Sequence, residues 1–140
     1  MKFYVVNRIP IKRRVRFNRS GRTYTDSKTA QDLKLVRSSY SGPMYIGPVA
    51  LIVFVYKQLP KARIKKTSEP FVTKPDLDNV LKAVMDGLKG VAYSDDNQVT
   101  ITYIKKLDRK SIAGEYVKFA VIPAEKLTGV IVESEVLNEF

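Results

Sequence analysis

Hydrophobic and polar positions follow two different periods along the chain, and the change of period separates strands from helices. A nearly continuous apolar, β-branched and aromatic run from Val49 to Tyr56 predicts a buried central strand. From Leu77 to Leu88 the spacing becomes helical and predicts an amphipathic helix that faces the core. The apolar stripe of this helix consists of Leu77, Val80, Leu81, Val84, Met85 and Leu88.

Weaker patterns predict the remaining elements. Residues 1–6 favour a short strand, and Asp26 can cap a helix over about 27–40. Alternation predicts a strand from Val99 to Ile104, and 116–122 is interpreted as the return strand of a hairpin. The first helix would present one apolar face, made of Ala30, Leu33, Val36 and Tyr40. Because strands bracket two helices, we expect a single small α+β (mixed α/β) domain, with a mixed sheet of about four strands and two main helices.

Composition narrows the class of function. The 140 residues carry a net charge of +11 and a pI near 9.8, which indicates nucleic acid or an anionic membrane surface as partner. The chain contains neither His nor Cys, so imidazole bases, thiolate chemistry, disulfides and structural zinc are excluded. Apolar runs are too short for a signal peptide or a membrane span. We therefore expect a soluble, intracellular protein.

The positive charge is concentrated in two segments of the predicted domain, residues 1–124. Residues 8–22 hold seven basic residues and no acid, and 57–75 predict a basic loop. These segments supply the predicted DNA-binding residues: Lys12, Arg13, Arg14, Arg16, Arg19, Arg22, Lys61, Arg63, Lys65 and Lys66. The tail 125–140 has four glutamates against one lysine and is expected to pack or to form a dimer contact rather than to touch DNA.

Acid is concentrated near one helix of this basic protein. Asp76 and Asp78 begin the predicted helix, Lys82 lies one turn further on, and Asp95-Asp96 follows its end. Carboxylate oxygens are ligands that Mg²⁺ prefers, and it completes its octahedron with water and substrate phosphates. This pattern indicates a metal-dependent nuclease.

Each of these residues also has a purely structural interpretation. Asp at a helix start is a common cap, Asp-Asp-Asn is common in turns, and an exposed Asp78–Lys82 pair contributes only a few tenths of a kcal/mol. The two acidic groups meet only if the strand after the helix runs back along it. From the residues alone, a metal site and a set of caps and turns both remain open.

The longest motif adds a family resemblance. The run Pro75-Asp76-Leu77-Asp78-Asn79-Val80-Leu81-Lys82, continued by Ala83-Val84-Met85-Asp86-Gly87-Leu88 and by Tyr93-Ser94-Asp95-Asp96-Asn97-Gln98-Val99, resembles the core motif of the RusA family of Holliday junction resolvases. Its fixed polar positions make it far more specific than two aspartates alone. The basic opening segment 11–25 is also similar, with Val15 where many relatives have Pro.

The resemblance implies a RusA-like, Mg²⁺-dependent endodeoxyribonuclease, with Mn²⁺ as the alternative ion. It implies a homodimer that resolves four-way DNA junctions by paired symmetric nicks in recombination and repair. Asp76, Asp78 and Asp96 would be the catalytic, metal-binding carboxylates, with Asp95 as the alternative to Asp96, and Lys82 the catalytic amine. No membrane and no organic cofactor would take part, and the protein would be cytoplasmic, in a bacterium or encoded by a phage or prophage. Asp86 is expected to be solvated or a dimer contact.

Two other functions share part of this pattern. A non-catalytic, basic nucleic-acid-binding module would explain the charge but would leave the acids as unrelated caps and turns. A nuclease for other branched DNA, such as flaps or forks, would share every motif. Cleavage of a four-way junction with Mg²⁺ but not with EDTA distinguishes a nuclease from the binding module, whereas the sequence does not exclude the second alternative.

Overall fold

The computed structural model describes residues 1–58, 75–109 and 114–127. The secondary-structure elements, in chain order, are β1 (Tyr4–Val6), β2 (Arg16–Phe17), β3 (Thr23–Tyr24), α1 (Ser27–Ser39), β4 (Val49–Gln58), α2 (Leu77–Leu88), β5 (Val99–Arg109) and β6 (Tyr116–Pro123). Single 3₁₀ turns lie at Asp96–Gln98 and Ala124–Lys126. The predicted basic residues Lys61, Arg63, Lys65 and Lys66, and the tail beyond residue 127, lie outside the described residues.

Four strands form one mixed sheet in the order β1-β6-β4-β5. β4 is the long central strand, parallel to β5 and antiparallel to β6, while β1 pairs antiparallel with β6. The predicted α+β fold, with about four strands and two helices, is confirmed. The short β2 and β3 form a separate two-stranded hairpin at the end of the basic segment 8–22, which the sequence did not predict.

The predicted β5–β6 hairpin is wrong. β5 follows β4 through α2, and such a crossover makes the two strands parallel neighbours on one edge of β4. β6 instead pairs along the opposite edge of β4, from Val49 opposite Pro123 to Tyr56 opposite Tyr116. The order of strands in the sequence therefore does not give their order in the sheet.

Side chains from the two faces of β4 form two hydrophobic clusters. Val49, Leu51, Val53 and Val55 join the larger cluster, which includes Val36 of α1 and much of the predicted stripe of α2. Ile52, Phe54 and Tyr56 belong to a smaller cluster on the other face. The continuous apolar pattern of β4 is thus explained by burial on both faces, as predicted.

Helix α1 begins as predicted, and its predicted apolar face is correct only in part. Asp26 is its N-cap and accepts from the backbone N–H groups of Lys28 and Thr29 at 2.9 and 3.3 Å. The predicted apolar face is wrong at Ala30, which is exposed, whereas Thr29 and Asp32 are fully buried. These two polar side chains hold the chain segment that precedes β2.

Helices α1 and α2 cross closely at Gly87. A Cβ at Gly87 would lie 2.7 Å from the Cβ of Val36, a distance that real side chains do not adopt. Arg37 of α1 donates to the carbonyl oxygens of Gly87 and Lys89, so it satisfies acceptors that the end of α2 leaves without intrahelical partners. Neither described helix has the length and apolar character needed to cross a membrane.

Candidate active site

The start of α2 carries two exposed carboxylates that its capping does not use. Asp76 is the N-cap residue, yet its side chain makes no capping hydrogen bond, in contrast to Asp26 at the same position of α1. Asp78 is exposed in the first turn, where the helix dipole favours negative charge. The capping interpretation therefore does not account for Asp76.

Lys82 lies one turn beyond Asp78 on the exposed side of α2. The spacing permits an ion pair between the two residues, but within the described parts of the chain neither has an opposite charge within 4 Å. The surface ion pair that would explain both residues without a function is absent from these regions. The Lys82 amine and the Asp78 carboxylate are therefore one helical turn apart and form no ion pair with each other.

The basic segment docks along the same helix. The Lys12 backbone N–H donates to the Asn79 carbonyl oxygen at 3.0 Å, and Lys12 Nζ lies 3.0 Å from a carboxylate oxygen of Asp86. Asp86, which we expected to be solvated or a dimer contact, is thus a half-exposed partner of the basic segment. These two contacts fix Lys12 against both halves of α2.

The second acidic group lies on a turn that one side chain organises. The Gln98 amide oxygen accepts from Ser94 N, Ser94 Oγ and Asp95 N at 3.0, 2.8 and 3.3 Å. The Gln98 amide nitrogen donates to the carbonyl oxygens of Tyr45 and Gly47 at 3.1 and 3.0 Å. Gln98 therefore ties the turn that carries Asp95 and Asp96 to the loop before β4.

Asp95 and Asp96 perturb each other. A side-chain hydrogen bond between them lowers the pKa of Asp95 and raises that of Asp96, and the negative charge of Asp86 raises the pKa of Asp96 further. Burial raises the pKa of the nearby Tyr93 hydroxyl, which donates to the Met85 carbonyl oxygen at 2.7 Å. Tyr93 therefore holds the Asp95–Asp96 turn against the end of α2.

The predicted acidic residues thus form two groups along α2. Asp76 and Asp78 lie at its start. Asp95 and Asp96 lie beyond its end, near enough to Asp86 for its negative charge to raise the pKa of Asp96. Among the described residues, no three acidic side chains lie close enough together to hold a metal ion. The available donors are carboxylate and amide oxygens, the types that suit Mg²⁺ and Mn²⁺.

A pocket of about 430 Å³ lies between the basic segment and the start of α2. Its charged lining residues are Arg8, Arg13, Lys57, Asp76 and Glu115. Of the other predicted DNA-binding residues, Arg16 pairs with Asp26 at 2.7 Å. Three further ones lie exposed in or beside the β2–β3 hairpin: Arg14, Arg19 and Arg22.

Two residues of this region were missed when the sequence was considered alone. Gln98 lies inside the longest motif, two residues after Asp96. Its place in that motif is the signal that could have identified it. Asp32 has no such signal, because a lone acid within a helical segment resembles any solvated helix residue. Its burial depends on partners about twenty residues away in the sequence.

Comparison with known proteins assigns this basic α+β domain to a family. The sequence model of the endodeoxyribonuclease RusA family matches residues 8–118, which include both acidic groups and the basic segment. The chain belongs to the RusA family of endodeoxyribonucleases. An uncharacterized protein of Bacillus subtilis (strain 168), YqaN, is 37% identical over 86 residues, or 54% of this chain and 61% of the relative. The matched region therefore spans less than two thirds of that relative's length.

Proposed function

We propose that the protein is a divalent-metal-dependent endodeoxyribonuclease that resolves four-way DNA junctions by paired symmetric nicks. The observation that carries this proposal is the start of α2. There Asp76 and Asp78 are exposed within the region that the nuclease family model matches, and the Asp76 side chain makes no capping hydrogen bond. A docked basic segment beside them provides positive charge for the DNA backbone.

The metal-binding residues proposed are Asp76, Asp78 and Asp96, with Asp95 as the alternative to Asp96. Their oxygen donors fit Mg²⁺ or Mn²⁺, and Mg²⁺ needs only one or two carboxylates when substrate phosphates supply further ligands. A closed three-carboxylate cage is therefore unnecessary. When bound, a divalent cation activates water for attack and stabilises charge on the phosphoryl group, so the chain needs no histidine base.

Lys82 acts in this proposal as the catalytic amine. Its ammonium group is exposed beside Asp78 and, in the described regions, is not neutralised by an ion pair. A positive charge at this position stabilises the negative charge that grows on the phosphoryl oxygens in the transition state. A compact ammonium also binds a phosphate oxygen as a point charge, without the planar geometry that a guanidinium imposes.

DNA contact is assigned to the basic residues in and beside the docked segment. The proposed set is Lys12, Arg13, Arg14, Arg16, Arg19, Arg22, Lys61, Arg63, Lys65 and Lys66. Such contacts position the backbone without reading sequence. Selectivity for a branched substrate would come from a homodimer that presents two positive faces and two active sites, acting in the cytoplasm during recombination and repair. The tail 125–140 is proposed as a packing or dimer contact.

Incubation of the protein with a synthetic immobile four-way junction tests this function. We expect paired nicks at symmetric positions with Mg²⁺ and none with EDTA, and little cutting of a linear duplex of the same sequence. Forked and flapped DNA in parallel reactions distinguish a junction resolvase from a nuclease for other branched DNA. Binding without cleavage under every metal condition would instead identify a non-catalytic binding module.

A further inference from the structure

Asp32 of α1 is a fully buried carboxylate that holds two arginines. Arg8 Nε lies 2.9 Å from one of its oxygens, and Arg13 Nη1 lies 3.1 Å from the other. The second oxygen also accepts from the Ile11 backbone N–H at 3.1 Å. One side chain thus fixes both ends of the segment 8–13.

The arrangement exceeds what burial of a carboxylate requires. One guanidinium neutralises one carboxylate, whereas Asp32 has two, which leaves one positive charge in excess. A guanidinium has five N–H donors, and Arg13 donates to both Asp32 and the Ile11 carbonyl oxygen through Nη1. The side chains of Arg8 and Arg13 remain 45% and 27% exposed, so both reach solvent as well as the buried acid.

The two arginines reach solvent at a specific place. Both line the pocket of about 430 Å³ that Asp76 and Asn79 border at the start of α2. Lys57 adds a third positive charge to this lining, and Glu115 and Asp76 are its negative members. Each guanidinium group holds its N–H donors in one plane, and this geometry lets it donate two hydrogen bonds to the oxygens of a phosphate.

We propose that Arg8 and Arg13 together bind one backbone phosphate of the DNA beside the proposed cleavage site, and that Asp32 is the positioning residue that sets both guanidinium groups. This inference rests on the proposed function and adds a defined phosphate site to it. Thr29 supports the arrangement, because its hydroxyl accepts from the Arg13 backbone N–H at 3.0 Å while being fully buried.

The test measures binding of an immobile four-way junction in EDTA, where cleavage does not interfere, over a series of salt concentrations. The variants are Arg8→Gln, Arg13→Gln, their combination and Asp32→Asn. Lys34→Gln is the matched control, since Lys34 is an exposed cation of the same α1 and lies outside the pocket. Thermal unfolding of each variant checks that it is folded.

We expect each arginine variant to weaken binding roughly 5- to 10-fold, and Lys34→Gln less than about 2-fold. Because both arginines would bind one phosphate, the loss of affinity in the double variant should be smaller than the product of the two single losses. The slope of log affinity against log salt concentration should become shallower by about one unit. Affinities and slopes equal to those of Lys34→Gln would overturn the proposal, and this comparison stands even where Asp32→Asn fails to fold.

The Asp32→Asn variant distinguishes a positioning role of Asp32 from a simple effect of its charge, because the two predict opposite changes in junction affinity. Loss of a negative charge near DNA strengthens binding if only the overall field matters. If Asp32 positions the arginines, the same change weakens binding several-fold and lowers the salt slope, and Asp32→Glu does not fully restore it. Folded Asp32→Asn that binds as tightly as the wild type would overturn the positioning role. Cleavage by the wild type in Mg²⁺ is scored separately, so failure of the nuclease proposal remains distinguishable.

Discussion

Gln98 is predicted to control both stability and metal use, although it carries no charge. Replacement by Ala removes five hydrogen bonds, two of them to the carbonyl oxygens of Tyr45 and Gly47. At about 1 kcal/mol net for each bond, and with water replacing part of those to the half-exposed turn, we expect a loss of about 2–3 kcal/mol. That is a large fraction of the 5–15 kcal/mol typical of a domain.

The same change should affect activity through Asp95 and Asp96, whose turn Gln98 holds. Loss of a residue that orients metal ligands typically costs about 10–100-fold in metal affinity or activity. We therefore expect the Mg²⁺ concentration for half-maximal junction cleavage to rise about 10-fold or more in Gln98→Ala, with partial recovery at high Mg²⁺.

Urea unfolding and a Mg²⁺ titration of cleavage measure these two effects. Asn97→Ala is the matched control, because Asn97 is exposed in the same turn and its side chain makes no hydrogen bond with the described residues. A Gln98→Ala protein within about 0.5 kcal/mol of the wild type, with an unchanged Mg²⁺ requirement, would contradict both expected effects.

Three other positions, Asp26, Gly87 and Lys82, give testable expectations of their own. The hydrogen bond from Arg16 lowers the pKa of Asp26 below its ordinary value of 3.8. In urea unfolding, the wild type should therefore be more stable than Asp26→Asn at pH 6–7, and this difference should shrink as the pH falls below about 4. Gly87→Ala gains up to about 1 kcal/mol of helix propensity, but the clash with Val36 should make it less stable by about 1–2 kcal/mol, and adding Val36→Ala should relieve the clash. Lys82→Ala should change stability by less than ~0.5 kcal/mol but lower single-turnover cleavage about 100-fold or more; an unchanged rate would remove Lys82 from the site.

The sequence predicted best those elements whose patterns follow from burial alone. β4 is apolar throughout because the sheet buries both of its faces, and α2 shows a clear stripe because one side packs on the core. The polar part of the inward face of α1 was not predictable, since Asp32 and Thr29 are buried by partners in a distant segment. The edge of β4 on which β6 pairs was likewise not encoded in the local pattern of β6.

The candidate site shows the same division. The residue types at 76, 78, 82, 95 and 96 were evident in the sequence, and their roles in metal binding and catalysis stay a prediction. Their arrangement in space depends on the β4–α2–β5 crossover. Parallel pairing places the start of β5, and with it the Asp95–Asp96 turn, beside the start of β4. The roles of Gln98 and Asp32 depend on long-range hydrogen bonds that a linear pattern does not reveal.

The proposed active site is best tested by comparing wild type and Asp78→Asn on an immobile four-way junction, in single-turnover reactions with saturating Mg²⁺ and enzyme. We expect paired symmetric nicks by the wild type. Asp78→Asn should bind the junction at least as tightly, because a negative charge beside phosphate is lost, and should cut it at least ~100-fold more slowly. Equal losses of binding and cleavage would assign Asp78 a structural role, and equal cleavage rates for the two proteins would contradict the proposed active site.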